Sequence, residues 1–494
     1  MRVLGVHLGN TPAYENQNWE SLMTKVKGTL NKWSRFVKLT SYYGRRIISN
    51  QLAGSLLIHT LNVMQPPKEF IHEINKIMVN FVWQGKHWLH SNYIYASPEK
   101  GGIGLSHLEA KIISLRLTLI QSIQANLQNE ELDLQLHNYN LSLCGNISPK
   151  HVFTQTKDPI NMANLDQFYQ SLLNAWYAIN PELITTIFPI NFIRLTPLYG
   201  SKIINEEELK ILEDWKKNGI NSLEQLLEPQ GTWKTLQLQH FPITTQRRLS
   251  YDNNKIKIYF NKKIQQSEDQ QDNYKTEFKF LEQNQQRMVL FPSTKKTMYL
   301  TCLLQLMHKP DITGKPTWVD KTINWTSLYN YPIDRRDSDI SWRLLHNALV
   351  TPKRLNQWQI IASPLCPWCK KEGNILHMIF HCKQTTPIWQ YISNKIKTIS
   401  QGTSLNFEQA LTGFPPTTPS AKLSNFLLAL TKSTIYKTFI NLIKQENPEP
   451  PAYLPIIKRR IEYRLALERH QAQLTKTEEK FQNTFLINNA LSNQ

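Results

Sequence analysis

The sequence predicts a mainly α-helical protein with few short strands and one small cysteine-rich module. Two observations support this fold class. First, apolar side chains recur three and four positions apart over much of the N-terminal 125 residues, which is typical of helices that bury one face. Second, three of the five cysteines fall within the 17 residues 366–382, together with a histidine. A helical framework that carries one compact cysteine cluster accounts for both.

The N-terminus predicts a short strand over Val3–Leu8 (VLGVHL). A strand without a neighbour leaves its backbone N–H and C=O groups unpaired. We therefore expect its partners either later in the chain or in a segment that precedes Met1.

Three helices are predicted after this strand. The first opens at Asn18 as a candidate N-cap, the second covers about 41–63, and the third starts after Pro66-Pro67. Trp19, Trp33 and Phe81 lie on the apolar stripes of these helices, so we expect them in the core.

The remaining pattern divides the chain into four segments. A fourth helix is predicted over 106–125, a linker or weakly packed helix over 252–287, and a basic tail helix over 456–485. The predicted segments are a helical bundle (1–130), a helical connector with a polar linker (131–290), a domain that carries the cysteine cluster (291–400) and a C-terminal helical tail (401–494).

Composition points to a polyanionic partner. Lys and Arg number 57 against 38 Asp and Glu, which gives a formal net charge of +19. Such an excess attracts nucleic acid, and charge that serves solubility alone remains the alternative. Few cysteines in odd number indicate a reducing compartment, and we expect an intracellular protein, cytoplasmic and/or nuclear. No apolar run reaches the length of a membrane span, so no membrane partner is expected.

The cysteine cluster has the spacing of a metal site. Cys366, Cys369, His377 and Cys382 follow the order C-x2-C-x7-H-x4-C. Thiolates and imidazole are the ligands that Zn²⁺ prefers, and four protein ligands leave no open position for water. We therefore predict structural zinc rather than catalytic zinc, with ordinary buried cysteines as the alternative.

The fourth zinc ligand has two candidates. If the segment around His377 is helical, His381 shares its face at i+4, whereas Cys382 is rotated away. A helix that ends near His381 would instead bring Cys382 into reach. We favour Cys382 because a thiolate binds zinc more strongly than a second imidazole does.

Several motifs resemble the C-terminal part of LINE-type (non-LTR) retrotransposon reverse transcriptases. One part of this chain resembles the zinc-binding region of that family. It contains, in order, Trp342-Arg343, then Thr351, Arg354 and Leu355, then the cysteine cluster, and finally Trp389. The N-terminal third is similar to the end of the palm and the thumb. That similarity is carried by these segments: Leu4-Gly5-Val6, Asn31-Lys-Trp33, Gly44-Arg45, Phe81-Val-Trp83 and Gly101-Gly-Ile-Gly-Leu105. The resemblance covers about 1–125 and 335–395, and it implies a thumb-like helical bundle and a zinc-bearing tail.

One family feature is absent. The family supplies metal-binding aspartates as a Tyr-Ala-Asp-Asp strand, and nucleotidyl transfer needs such a pair to hold two metal ions. This sequence contains no Asp-Asp pair and begins after the place where that strand is expected. The resemblance therefore implies a segment without the catalytic palm, which is not an enzyme on its own.

Basic and aromatic residues are candidate contacts to RNA or DNA, because cations follow the backbone and bases stack on aromatic rings. In the thumb-like part, and by resemblance, the candidates are Lys25, Lys27, Arg45, Arg46 and Lys86. Around the zinc cluster they are Arg354, Trp368, Lys370 and Lys371, with packing of Trp368 under the metal loop as the alternative.

Three functions follow from these features. The first is a nucleic-acid-binding segment, with a separate palm-containing polypeptide as a candidate partner and no small-molecule substrate. The second is a non-enzymatic scaffold whose zinc module contacts other proteins. The third is an inactive retrotransposon relic.

Overall fold

The structure is a computed structural model, and it describes most of the chain. The described residues are 2–3, 6–7, 12–85, 89, 91–125, 132–143, 149–155, 161–183, 188, 190–198, 200–203, 220, 222–228, 232–234, 243–263, 278–281, 287–291, 294–306, 323–443, 445 and 448–491.

Helices dominate these residues, as the sequence predicts. In chain order the α-helices are α1 (Pro12–Ser34), α2 (Tyr42–Ile47), α3 (Ser55–Val63), α4 (Lys68–Trp83), α5 (Ser91–Tyr95), α6 (Leu108–Ala125), α7 (Leu132–Ser142), α8 (Gln167–Ile179), α9 (Ile190–Arg194), α10 (Ile243–Asn261), α11 (Lys295–Leu306), α12 (Arg335–Leu345), α13 (Pro352–Gln357), α14 (Thr386–Ile399), α15 (Phe407–Thr412), α16 (Pro419–Leu442), α17 (Tyr453–Thr475) and α18 (Glu478–Phe485). Two further segments, Ile48–Ala53 and His377–His381, are π-helical.

The strands are few and short. β1 (Arg2–Val3) pairs with β2 (Val6–His7) in an antiparallel hairpin, so the prediction of one strand across this segment was wrong. The register places Val3 opposite Val6 and Arg2 opposite His7. A second antiparallel sheet has the order β3 (Glu182–Leu183), β4 (Phe278–Leu281) and β5 (Arg287–Phe291).

The segment predicted as a linker or a weakly packed helix, 252–287, contains regular structure at both ends. Its first part continues α10, where Ile256 and Phe260 are fully buried and anchor the helix. Its last part contributes β4, within the sequence FKFL. The helical alternative therefore holds for 252–261, where a few apolar anchors are enough to hold a helix that is polar elsewhere, whereas β4 was not predicted.

Helix boundaries follow the capping signals in part. α4 starts directly after Pro66-Pro67 as predicted, whereas α1 starts at Pro12 and not at Asn18. Asn18 is instead buried inside α1, where its amide contacts the Met64 sulfur at 3.5 Å. Proline at the first helical position is a start signal that competes with an Asn cap, and here the proline decides the boundary.

Two of the three tryptophan and phenylalanine predictions for the core hold. Trp19 and Phe81 are buried, but Trp33 is 38% exposed. Trp33 lies in the last turn of α1, and its ring contacts the similarly exposed Phe36 with centroids 5.9 Å apart. The apolar stripe of α1 therefore continues past the part of the helix that packs against other elements.

Packing groups the chain into two compact units. The first comprises Met1–Glu20, Leu57–Glu73 and His107–His308, and the second comprises Ser21–Leu56, Ile74–Ser106 and Lys309–Gln494. Each unit gathers segments that are distant in the sequence. The four-segment division predicted above remains a prediction.

In the first unit, one buried arginine joins three elements. Arg116 on α6 donates to the carbonyls of Leu61 (2.7 Å) and Met64 (2.9 Å) near the end of α3, and to Ser171 Oγ on α8 (2.9 Å). Its guanidinium also lies 4.2 Å from the Phe168 ring centroid. Burial lowers the pKa of Arg116 to about 10, so the side chain stays charged at neutral pH.

The second unit is built around α16. Nearly every residue of α16 from Leu423 to Tyr436 is buried, because α12, α14 and α17 surround it. Asp337 on α12 ties these helices together: it accepts from Ser433 (2.5 Å) and Lys437 (2.9 Å) on α16 and from Arg460 on α17 (3.1 Å). A buried carboxylate with two cations and a hydroxyl has the partners that its burial requires.

A second carboxylate in this unit lies among aromatic rings. Asp339 is fully buried, accepts from the backbone N–H of Tyr42 at 2.9 Å and faces the Tyr329 hydroxyl at 3.5 Å. Burial raises the pKa of Asp339 to about 7, although the nearby Arg45 and Arg343 guanidiniums oppose that rise.

Removing Arg116 should destabilise the first unit. Arg116→Leu strands two buried carbonyls, and we expect a loss of about 3 kcal/mol in the free energy of unfolding by urea. Arg116→Lys, which keeps the charge but cannot reach all three acceptors, should fall between wild type and Leu. Glu109→Gln, an exposed change on the same helix, is the control. Equal stability of the Arg116→Leu and control proteins would contradict the structural role of the guanidinium.

Asp339 should make stability depend on pH in one direction. Its folded pKa near 7 exceeds the unfolded value near about 3.9, so between these limits the folded state holds a proton that the unfolded state has released. Stability should therefore fall as pH rises through this window, by on the order of 4 kcal/mol. Asp339→Asn should lack that part of the slope, and denaturant titrations at several pH values measure the difference. Parallel pH profiles for the two proteins would refute the assignment.

Candidate metal centre

A tight loop presents the first two cysteines. The Cys366 N–H donates to the Lys371 carbonyl (2.7 Å), and the Lys370 N–H donates back to the Cys366 carbonyl (3.0 Å). Lys370 adopts a positive φ of 58°, which closes the turn just after Cys369. Cys366 and Cys369 therefore project from one rigid hairpin.

Gly373 anchors this hairpin at its base. Its N–H donates to the Pro364 carbonyl (3.0 Å), and a Cβ at this position would lie 2.6 Å from Pro352 Cβ at the start of α13. Only glycine permits so close an approach. Next to it, Asn374 caps the following turn, because its side chain accepts from the His377 N–H at 2.9 Å. The sequence analysis did not single out Asn374, although Asn just before an apolar helical turn is a cap signal.

The π-helical segment from His377 to His381 positions the other two ligands. The helical turn ends at His381, and Cys382 follows in an extended conformation with φ −71° and ψ 137°. Its carbonyl accepts from Thr385 Oγ1 at 2.9 Å, which fixes the exit from the turn. The extended backbone swings Cys382 back toward the hairpin.

The four side chains converge as the spacing predicts. The ligand atoms of Cys366, Cys369, His377 and Cys382 all lie within 4.8 Å of one another. Cys382 Sγ lies 3.9 Å from both Cys366 Sγ and Cys369 Sγ, and Cys369 Sγ lies 3.0 Å from His377 Nε2. Cys366, His377 and Cys382 are buried and Cys369 is half-buried.

This donor set fits zinc. Tetrahedral Zn²⁺ with Zn–S bonds of about 2.3 Å holds its sulfurs about 3.8 Å apart, close to the separations found here. Three sulfurs and one imidazole form a complete Cys₃His set, and all four come from the protein. An ion bound by them would therefore cross-link the hairpin and the helical turn, with no position left for substrate.

The geometry separates the two candidates for the fourth ligand. His381 is exposed, and its ring stacks on Phe407 with centroids 5.6 Å apart and an interplanar angle of 21°. Cys382, by contrast, is buried among the other ligand atoms. The end of the helical turn at His381 accounts for this, and it selects Cys382 as the proposed ligand.

The thiols are chemically coupled. The hydrogen bond with Cys382 lowers the pKa of the Cys366 thiol, and the same bond raises the pKa of the Cys382 thiol. A lowered thiol pKa favours the thiolate, which is the form that binds metal.

The module is fastened to the rest of the second unit by Trp368. Its indole N–H donates to the Pro448 carbonyl (3.0 Å), and its ring meets Phe439 of α16 edge-on at 5.6 Å. Trp389, the aromatic residue that follows the cluster, donates to the Ile379 carbonyl (2.7 Å). Trp368 thus makes the packing contact that was left open as the alternative to base stacking.

Two of the residues predicted to contact nucleic acid donate hydrogen bonds to backbone carbonyls of the protein. Arg45 donates to the carbonyls of Val82 (2.8 Å) and Val37 (2.9 Å), and Arg354 donates to those of Leu349 (3.1 Å) and Asn347. Burial lowers the pKa of both guanidiniums. Each guanidinium therefore uses two of its N–H groups to bind the fold.

The other predicted basic residues lie nearer to solvent. Lys25 and Lys27 are exposed on α1, and Lys370 and Lys371 are exposed at the tip of the metal hairpin. Arg46 is half-buried and its guanidinium lies 4.3 Å from the Tyr43 ring centroid. Lys86 lies outside the described residues.

The motif residues that carry the family resemblance meet inside the second unit. The Trp342 indole N–H donates to the Gly101 carbonyl (2.8 Å), which also lies 2.7 Å from His346 Nε2. Gly101 has a φ of +82°, and a Cβ there would lie 2.6 Å from the Trp325 ring. The glycine-rich turn and the Trp-Arg motif are therefore parts of one packed cluster.

Comparison with known proteins agrees with this geometry. Residues 314–389 match the family described as zinc-binding in reverse transcriptase, and all four ligands fall within that segment. The chain also aligns over 99% of its length, at 23% identity, with the "Transposon TX1 uncharacterized 149 kDa protein" of Xenopus laevis. It spans 40% of the length of that relative.

These observations define a protein that carries the zinc-binding region of reverse transcriptases. The chain is related to the reverse transcriptases of non-LTR retrotransposons, as its motifs predict. In the part of the chain that the structure describes, no helix has the length and hydropathy that crossing a bilayer requires.

The choice of fourth ligand predicts a difference between two variants. Cys382→Ser should lose most of the bound zinc after purification, because it removes a thiolate from the four-ligand set. His381→Ala should keep zinc at about one equivalent per chain. Elemental analysis of both proteins measures this. Zinc lost from His381→Ala and kept by Cys382→Ser would reverse the assignment.

Proposed function

We propose that this chain is a nucleic-acid-binding C-terminal segment of a LINE-type reverse transcriptase whose zinc site is structural. The observation that carries the proposal is the convergence of four zinc-type ligands inside the segment that matches the zinc-binding family. Bound zinc supplies a cross-link between the hairpin and the helical turn. The chain's own residues supply the nucleic-acid contacts.

The placement of two lysines supports RNA or DNA as the partner. Lys370 and Lys371 lie between the second and third ligands, at the exposed tip of the hairpin that the metal would stiffen. No ion pair engages either side chain within the described residues, whereas the neighbouring Lys353 pairs with Glu372 at 2.6 Å. Cations fixed at a rigid tip lose little entropy on meeting phosphates, and the net charge of +19 adds long-range attraction.

The predicted contacts divide by role. We propose that Lys25, Lys27, Arg46, Lys370 and Lys371 contact phosphates, and Lys86 remains a candidate outside the described residues. Arg45, Arg354 and Trp368 are better suited to positioning, because their polar groups bind backbone carbonyls.

We further propose that the chain does not polymerise nucleotides by itself. The sequence has no adjacent pair of aspartates of the kind that holds the two catalytic metal ions. Asp337 and Asp339 are engaged in the packing of α12, the first with two cations and the second with the Tyr42 N–H. A palm-containing polypeptide that acts with this chain remains the proposed partner for synthesis.

A specific surface favours the scaffold alternative. The loop between α13 and the metal hairpin exposes three apolar side chains, namely Trp358 (48%), Ile360 (64%) and Leu365 (41%). Apolar groups clustered on an exposed loop are typical of protein contacts. A zinc module that presents this loop would serve as a binding site for another protein.

RNA binding should depend on salt and on the hairpin lysines. Retardation of a structured RNA in gels should weaken steeply between low and physiological salt. The double variant Lys370→Ala/Lys371→Ala removes two phosphate contacts, so the magnitude of the slope of log affinity against log salt should fall by about 1.4 to 1.8. Lys397→Ala, an exposed change on α14, is the control and should keep the full slope.

Two results would count against nucleic-acid binding. Absence of retardation at low salt would exclude it directly. Two results together would favour the scaffold function instead. Excess RNA would fail to displace a protein captured through the 358–365 loop, and the lysine double variant would bind RNA with unchanged affinity.

A further inference from the structure

A concave surface in the second unit includes none of the motifs discussed so far. It is a cleft of about 670 Å³ between the segment around Tyr331, the start of α16 and the first turns of α18. The chemistry-bearing residues that line it are Asn330, Tyr331, Lys422, Glu479, Lys480 and Asn483. The lining therefore combines one aromatic ring, two cations, one carboxylate and two amides.

The ring of Tyr331 is held in a fixed orientation. Its hydroxyl donates to Glu468 Oε2 at 3.0 Å, and Glu468 is in turn paired with Arg464 at 2.6 Å. Glu468 is only 7% exposed, so this anchor is built into the unit. Phe485 meets the ring edge-on at 6.3 Å, while 46% of Tyr331 stays exposed to solvent. An aromatic ring held in this way offers a flat surface on which a planar group can stack.

Two cations face the same space. Lys480 Nζ lies 5.0 Å from the Tyr331 ring centroid, and Lys422 lines the cleft from α16. Both side chains are exposed, and within the described residues neither forms an ion pair. The ammonium of Lys480 can therefore leave the ring for an anion without breaking a salt bridge. A cation–π contact at an exposed site contributes only about 0.5–1 kcal/mol, so this exchange costs little.

The single carboxylate limits what the anion can be. Glu479 lines the cleft beside Lys480. Its negative charge offsets one of the two lysines, so the lining residues carry a net charge of only +1. A densely charged polyphosphate would be repelled by Glu479. A carboxylate does, however, accept hydrogen bonds from hydroxyl groups, and the amides of Asn330 and Asn483 offer both donors and acceptors. The cleft thus suits a ligand with one phosphate, free hydroxyls and a planar ring with polar edges.

We propose that this cleft binds a phosphorylated ribonucleoside, either free or as one residue of an RNA strand. The base stacks on Tyr331, the phosphate lies between Lys422 and Lys480, and Glu479 accepts from the ribose hydroxyls. The site does not rest on the function proposed for the zinc module. It lies on other elements and would stand if the metal hairpin bound no nucleic acid.

The test measures the binding of adenosine monophosphate to the full chain by isothermal titration calorimetry. One molecule should bind per chain. Tyr331→Ala should weaken binding roughly tenfold, as expected for loss of base stacking. Lys422→Ala and Lys480→Ala should each weaken it about threefold, as expected for exposed charge pairs. Tyr331→Phe keeps the ring and should bind within about twofold of wild type, and Lys397→Ala should be unchanged.

Further arms identify the ligand chemistry and its source. Deoxyadenosine monophosphate should bind less tightly than the ribonucleotide, and Glu479→Gln should reduce that difference. Inorganic phosphate should bind much more weakly than either. Tighter binding of a short oligoadenylate than of the mononucleotide would assign the site to an RNA strand, and equal binding would assign it to the free nucleotide.

Several outcomes would overturn the proposal. These are no heat of binding with adenosine monophosphate, inorganic phosphate bound as tightly as the nucleotide, or a Lys422→Ala protein with unchanged affinity. Lys422 is exposed, so its variant reports on binding even if Tyr331→Ala fails to fold. The double variant Lys370→Ala/Lys371→Ala should bind the mononucleotide normally, which separates this site from the zinc hairpin.

Discussion

The function proposed for the zinc module depends on how three sulfurs and one imidazole are kept close together in a buried space. Thiolates repel one another, and a buried negative charge without a partner is costly. A divalent cation removes that cost and converts four side chains from two separate turns into one cross-link. The hairpin around Cys366 and the turn that begins at His377 each pack against α16, and the ion would add a direct link between them.

This constraint is passed on to α16 through ordinary packing. Trp368 lies between the two hairpin cysteines in sequence, and it contacts both Pro448 and Phe439. Since α16 is the buried centre of the second unit, a hairpin held by metal is also held against the core. The exposed lysines at its tip are consequently presented on a rigid support, which suits the binding of a polyanion whose affinity comes from phosphate contacts.

The sequence predicts the metal ligands better than it predicts the contacts around them. Ligand identity follows from spacing, and the choice of Cys382 follows once the helical turn is known to end at His381. Arg354 and Trp368 show the limit. Their side chains point to carbonyls in loops, and no periodic pattern indicates where a loop carbonyl will lie. Trp33 fails for a related reason, because an apolar stripe does not tell how far along a helix its neighbours extend.

Sites assembled from distant segments are harder still. Tyr331, Lys422 and Lys480 are spread over about four fifths of the second unit's C-terminal segment, and no motif links them. The metal centre was predictable because its four residues lie within 17 positions. Local spacing carries information about local chemistry, whereas the cleft exists only because α16 and α18 pack beside the Tyr331 segment.

The most direct test of the metal centre is X-ray absorption at the zinc edge on the protein as purified. The account predicts a tetrahedral site with three sulfurs at about 2.3 Å and one nitrogen at about 2.0 Å. A spectrum that requires two nitrogens and two sulfurs would move His381 into the site. Protein that is folded and metal-free would contradict the central claim, that zinc holds the hairpin and the turn together.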